Sequence, residues 1–410
     1  MPQRGRGRTR LTTDARRILA VQALRAFAYG LGSVLIGVSL AQHGLSGGQV
    51  GLVLAALLAG VALASLAIGR TGDRIGRRRW YGGLLLVMAL AGTAFALSGS
   101  LWLLVLAALT GTVSTEVVES GPFTSLEQAM LPSAAGDLDA TRLFGTYNTV
   151  ATLAGSIGAL AAGLTVVLDV QPGRLLLVYA TVGVLGAVLT LGLSDAVEAG
   201  GRRAERPLVR SRGIVQRLGG LFALDSFGGG FVTQAFIAYW FTVTYGTSAE
   251  VLGLAFFAVG LLQAASFQIA VRLAGRVGLL NTMVFTHLPS NVLLALIPLA
   301  PSEAGAFALL FARYALSQMD VPTRQAYVVQ VVEPEERTAA AAYTNTARYV
   351  TRPLGPLAAA PVMQVSLGAP FAIAGALKSL YDLGLYAFFK RTSLQPEVGS
   401  PPTARVRIPK

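Results

Sequence analysis

A chain of 410 residues in which 53% are hydrophobic and only 13% charged, with a mean hydropathy of +0.60, carries too little charge for a soluble domain, where about a quarter of residues are ionised. Its net charge of +13 does not mark a nucleic-acid-binding surface, because the basic residues are confined to short stretches between apolar runs. It has no cysteine, which excludes disulfides, thiolate metal sites and cysteine catalysis.

The chain opens with Arg4, Arg6, Arg8, Arg10, Arg16 and Arg17. The apolar run after them is too long for a signal peptide and lacks a cleavage region, so it reads as a retained first span. Apolar runs bounded by Gly, Pro or charge then predict spans at 18–41, 50–69, 80–98, 102–130, 143–168, 174–194, 215–244, 251–271, 281–300, 304–331, 339–365 and 369–389. A bilayer core of about 30 Å takes about 20 residues per helix, so these spans use about 240 residues and leave short loops. The polar stretch 194–213 divides them six and six. We therefore expect a first bundle over 1–193, a linker over 194–213 with room for a short interfacial helix, a second bundle over 214–391 and a disordered Pro- and Ser-rich tail over 392–410.

The basic clusters fall at every second boundary: at the start, at 70–79, at 202–217, at Arg272 and Arg276, and at Lys390 and Arg391. The alternate loops hold one cation, Arg174. Lys and Arg in short loops mark the cytoplasmic side, so both termini are expected there. Residues 69–79 read Gly-Arg-Thr-Gly-Asp-Arg-Ile-Gly-Arg-Arg-Arg, a hinge whose arginines must lie in water or among headgroups, since a charge near the bilayer centre costs roughly 2.5–3.5 kcal/mol even on the lenient insertion scale.

The halves repeat each other. Adding 197 carries Gln128-Ala129 onto Gln325-Ala326, Asn148-Thr149 onto Asn345-Thr346, and Gly158 onto Gly355. Adding 202 carries Arg70, Arg74 and Gly76 onto Arg272, Arg276 and Gly278, with Gly275 in place of Asp73. A duplicated six-span unit in parallel orientation explains both registers, and such repeats are a known transporter architecture.

The hinge resembles the motif between the second and third helices of the major facilitator superfamily, with Gly69, Asp73, Arg74, Gly76, Arg77 and Arg78 in register. Thr71 and Gly72 are small departures. The resemblance implies an all-α polytopic membrane protein of twelve transmembrane helices, in two pseudo-symmetric six-helix bundles that rock about a central cavity. It further implies a cytoplasmic gate in which Asp73 accepts hydrogen bonds at the start of the eleventh helix, near Thr338 and Arg337. Arg77 or Arg78 is expected to pair with Glu127; lipid anchoring is the alternative for the arginines. Gly155, Gly158 and Gly163 weakly resemble the Gly-Pro element of drug/proton antiporters, without its proline.

Several charges interrupt the spans, and such groups face protein or water rather than lipid. Glu116, Glu119, Asp225 and Asp320 are candidate proton-coupling carboxyls. On a continuous helix Glu116 and Glu119 share one face. Arg25, Tyr29, Asn148, Gln234, Tyr239, Arg313, Asn345, Arg348 and Arg352 are candidate cavity residues, with the two asparagines ranked first because both halves keep them. The repeat sets Glu116 against Arg313 and Glu127 against Arg324, which would permit pairs between halves and makes Arg324, like Glu127, a candidate of the cytoplasmic gate. The alternative is pairing within each half, such as Arg324 with Glu333, and Lys378 with Asp382 reads as a local pair.

The leading function is proton-coupled export of a small organic molecule or drug by a secondary active transporter. An alternative is uptake or exchange of an organic or inorganic anion held by cavity arginines. A third reading, an intramembrane enzyme or lipid-handling protein, would need a nucleophile with its base or a metal cluster, and the chain offers two histidines, His43 and His287. No phosphate-binding Gly-rich loop is present, which argues against ATP-driven pumping. The expected partners are a small-molecule substrate, protons and membrane lipids, with no cofactor, metal or nucleic acid. The expected form is a monomer in a bacterial inner membrane.

Overall fold

In a computed structural model of the chain, residues 11–116, 121–134, 140–198, 208–333 and 336–391 are described. The first half contains α1 (Thr13–Gln42), α2 (Gly47–Ile75), α3 (Arg77–Leu97), α4 (Leu101–Leu109), α5 (Pro122–Ala134), α6 (Ala140–Leu160), the short α7 (Leu164–Val167) and α8 (Pro172–Leu175), and α9 (Leu177–Leu191). The second contains α10 (Arg212–Phe231), α11 (Gln234–Tyr245), α12 (Ala249–Val277), α13 (Leu279–Leu296), α14 (Glu303–Ser317), α15 (Asp320–Val331), α16 (Arg337–Thr351), α17 (Leu354–Val365) and α18 (Ala369–Phe389). Among the described residues, eight stretches are by themselves long and apolar enough to cross a membrane. The other four expected spans are the interrupted fourth, tenth and eleventh, and the twelfth, which carries Lys378 and Asp382.

The broken spans depart from the continuous helices expected from hydropathy. The fourth unwinds after α4, so Glu116 sits on irregular backbone; Glu119 lies outside the described residues. Gly111 makes the turn at φ +70°, and a Cβ there would meet the carbonyl of Gly60 on α2. Away from water each freed carbonyl needs a donor. The Tyr29 hydroxyl donates to the Thr112 carbonyl at 3.0 Å and Tyr179 to that of Ser114 at 2.7 Å. The seventh span breaks at Val232, the tenth at Gln318 and Met319, and the eleventh at Arg352 and Pro353, where proline cannot continue the ladder.

Gly76 and Gly278, equivalent under the repeat, turn the two hinges at φ +97° and +85°, a region that strains any residue with a Cβ. These hinges, with both ends of the 194–213 linker, lie at one end of the molecule, called here the arginine-rich end. The halves meet toward the other end, through α1 with α11, α2 with α17 and α6 with α12. Glycines bring the backbones together there: Gly37 lies against Ala235 and Tyr239, Gly51 against Ala360, and Gly253 against the Ala159 carbonyl. One apolar core joins both halves on that side through Leu35, Ala238, Phe241 and Met363, and in the first half it continues to Ala15 and Val197. A smaller core around Phe222, Tyr327 and Leu385 serves only the second half at the arginine-rich end. Large apolar side chains such as Leu90, Trp102, Leu106, Val188, Leu254 and Phe388 remain exposed around the circumference, a belt that hydrocarbon would cover.

Candidate functional site

At the centre, where the broken helices face one another, a cavity of about 150 Å³ opens between the halves. Gly30, Ser33, Glu116, Thr152 and Ser156 line it from the first half, and Gln234, Gln263, Gln318 and Arg352 from the second. Glu116 lies in the break of the fourth span and Arg352 in that of the eleventh, and Arg352 donates to Glu116 across the interface. Irregular backbone here lines a cavity, the setting in which a membrane interior tolerates it. A smaller cavity beside it is lined by Arg25, Tyr29, Glu116 and Arg352. A third, within the second half, is lined by Asp225, Arg313, Asp320, Arg324, Arg348 and Lys378, and shares Gln318 and Arg352 with the first.

Among the predicted cavity residues, Gln234 and Arg352 therefore reach the central chamber, Tyr29 and Arg25 the small one, and Arg313 and Arg348 the third. Asn148 and Asn345 are exposed. Asn148 lies one turn from Thr152 and two from Ser156, and Asn345 two turns from Arg352, so both stand below the lining on the arginine-rich side. Tyr239 is not in the cavity: it lies at the opposite end and donates to the Leu45 carbonyl at 3.3 Å. Ser33, Phe256 and Gln318 line the central chamber without a local sequence signal to mark them.

The ion pairs differ from those expected. Arg25 Nη2 lies 2.6 Å from Glu127 Oε2, both groups buried, and the same carboxylate accepts from Tyr81 at 2.7 Å and from Tyr147 at 2.5 Å. Glu127 thus serves the interior of the first half and does not receive Arg77 or Arg78. Arg77 donates to the Ala129 carbonyl at 3.2 Å and Arg78 to that of Leu193 at 2.7 Å, while their backbone amides bind the Glu198 carboxylate at the start of α3. Arg324 pairs with Asp320 at 3.2 Å and Asp225 at 3.5 Å inside the second half, and so is neither a gate residue at the arginine-rich end nor a partner of Glu127 or Glu333. Lys378 lies 2.5 Å from Asp225, while Asp382 takes His287 at 3.0 Å and Asn291 at 2.8 Å, replacing the local Lys378–Asp382 pair. Helix spacing put these charges within reach of near neighbours, but burial made each carboxylate collect the strongest available donors.

At the arginine-rich end Gly69 and Arg74 are exposed, Arg337 opens α16, and the side chains of Asp73 and Thr338 lie outside what is described. Beside Arg337, Glu336 accepts the backbone amides of Val209, Arg210 and Ser211 at 2.8–2.9 Å. Those amides, Val209 foremost, hold its carboxyl down at about 2.

A sequence model of the Major Facilitator Superfamily matches residues 18–356. An uncharacterized membrane protein of Saccharomyces cerevisiae, YJR124C, is 26% identical over an alignment 388 residues long that covers 84% of this chain and 86% of its own. The nucleoside transporter NupG has a similar structure, with a TM-score of 0.72 at 13% identity over 92% of this chain and 99% of its own. A bacterial homolog of the human lysosomal transporter Spinster, in an inward-facing and occupied conformation, gives 0.70 at 14% identity, over 92% and 96%. The D-xylose-proton symporter gives 0.68 at 15% identity, over 92% and 98%.

Proposed function

The chain belongs to the major facilitator superfamily, and we propose that it is a secondary active transporter that exports a small polar organic solute in exchange for protons by alternating access, with Glu116 as the coupling carboxyl. The arginine-rich end is taken as cytoplasmic, in a bacterial inner membrane, in keeping with the placement of Lys and Arg. The halves then meet on the outer side, and the cavity loads from the cytoplasm. A chamber of about 150 Å³ suits a few heavy atoms; drug-sized ligands occupy about 300–1,000 Å³. When the cytoplasmic end closes, Asp73 meets the first turn of α16.

The observation that carries this reading is that the Arg352–Glu116 pair joins the halves, whereas Arg25–Glu127, Arg324–Asp320 and Lys378–Asp225 each lie within one half. Rigid rocking leaves pairs within a half intact and parts a pair that spans them. A carboxylate that loses its cation inside the protein is stabilised by taking a proton. In the outward-open state that proton comes from outside; on return Arg352 reclaims the carboxylate and the proton leaves to the cytoplasm.

The cysteine-free chain allows a direct test by maleimide labelling. Asn148→Cys, in the cytoplasmic mouth, should label quickly, and Ala238→Cys, buried where the halves touch, slowly. Adding Glu116→Gln should shift both rates toward the outward-open state by about fivefold, the population change that about 1 kcal/mol brings. Lowering the pH should move the wild-type pattern the same way. A pH response that persists undiminished in Glu116→Gln would remove Glu116 from the coupling step.

A further inference from the structure

The third cavity, of about 90 Å³, is lined by five cationic side chains, Arg313, Arg324, Arg348, Arg352 and Lys378, against two carboxylates, Asp225 and Asp320. Arg313 stands apart from the rest. Its residue is 9% exposed, and its Nε and Nη1 have no hydrogen-bond partner among the described residues. Its one close aromatic neighbour is the Tyr314 ring, 4.6 Å from the guanidinium carbon, and a π face leaves the in-plane N–H donors unused. Burying a guanidinium with idle donors is costly unless something accepts from them.

We propose that this cavity holds the anionic group of the transported solute, a carboxylate or phosphate bound by Arg313. The proposal rests on the transporter reading above and names the substrate class. Two further orphans describe the rest of the ligand. Among the described residues Ser317 Oγ and Asp320 Oδ1 are buried without partners, and a carboxylate oxygen calls for a donor, so the anion carries a hydroxyl or a protonated oxygen beside its charge. The cavity has room for about three waters at about 30 Å³ each, enough for the head of the molecule. Its body extends past Gln318 and Arg352 into the central chamber, whose other named lining residues bear no charge apart from Glu116. The solute is thus a small organic anion with an uncharged polar body.

The test uses the full chain purified in detergent, with lactate, malate and inorganic phosphate as probes and lactamide as the neutral isostere of lactate. Saturable thermal stabilisation by any of the three anions at millimolar concentration, with none from lactamide, is expected. Arg313→Gln should weaken that binding about tenfold or more, as loss of a hydrogen bond to a charged group does, and Arg313→Lys should weaken it less. Asp320→Asn, which lifts a negative charge from beside the anion yet keeps an amide oxygen to accept its hydroxyl, should tighten it, a direction that misfolding would not produce. No stabilisation by any of the three, equal stabilisation by lactamide, or unchanged affinity in Arg313→Gln overturns the proposal. Labelling of Asn148→Cys in the same preparations separates the two readings. Access that alternates with pH while no anion binds removes only the anion site, and anion binding without any alternation counts against transport.

Discussion

Glu127 shows why partners at the residue scale were hard to read in advance. Its position one residue before the repeated Gln128-Ala129 was visible, but its partners Arg25, Tyr81 and Tyr147 come from α1, α3 and α6, and no spacing along one helix brings them together. The same holds for Asp225, bound by residues 99 and 153 positions away. Sequence flagged these groups as functional or paired because charge in a span demands it; the choice of partner needed the fold. Glu336 is the exposed-end counterpart. Its carboxyl, held near 2 rather than 4.5, ties the start of α10 to the start of α16. A depressed carboxyl contributes stability that is complete above pH 4.5 and disappears as the pH falls through about 2. Glu336→Gln should therefore melt at a lower temperature than wild type at neutral pH. The gap should narrow between pH 4.5 and 2; a gap that is constant with pH would show that the carboxylate is not its source.

Element order was legible because apolar length, arginine placement and the two glycine hinges are strong, local and mutually consistent signals. The breaks were not, because hydropathy does not distinguish an unwound apolar segment from a helical one. In the fourth span the available hints were Gly111, Gly121-Pro122 and the β-branched residues between, but what stabilises the unwound form is remote: tyrosines of α1 and α9 donating to its carbonyls, and Gly60 admitting the turn. Gly111→Ala should destabilise the protein by about 1–3 kcal/mol, as overpacking does, because its Cβ would run into Gly60. Gly44→Ala is the matched control. It has a similar φ of +65°, with open space around the added Cβ, so it isolates the backbone strain. If the two variants lower the melting temperature equally, the close approach of α2 and α4 contributes nothing.

For the whole molecule, the distribution of contacts determines which end opens. Where the core crosses from one half to the other it lies away from the arginine-rich loops, and glycines set backbone against backbone there, a dispersion-rich contact that excludes water. At the arginine-rich end an added Cβ at Gly69, Gly275 or Gly278 would meet nothing within 4 Å. The repeat is visible in the sequence but the closed end is not, since the same glycines serve packing within a half, as Gly158 does against Phe27, and between halves, as Gly253 does against Ala159. That difference makes Gly253 a switch point. Gly253→Leu would drive a side chain into the Ala159 backbone and wedge α12 from α6 on the closed side while leaving each half intact. Overpacking of about 1–3 kcal/mol placed wholly on one state should raise labelling of Ala238→Cys and lower that of Asn148→Cys about fivefold or more, with little loss of melting temperature. The equivalent insult inside one half, Gly158→Leu, should instead lower the melting temperature and leave the labelling ratio unchanged. If the two variants behave alike, the halves do not move as rigid bodies about this contact.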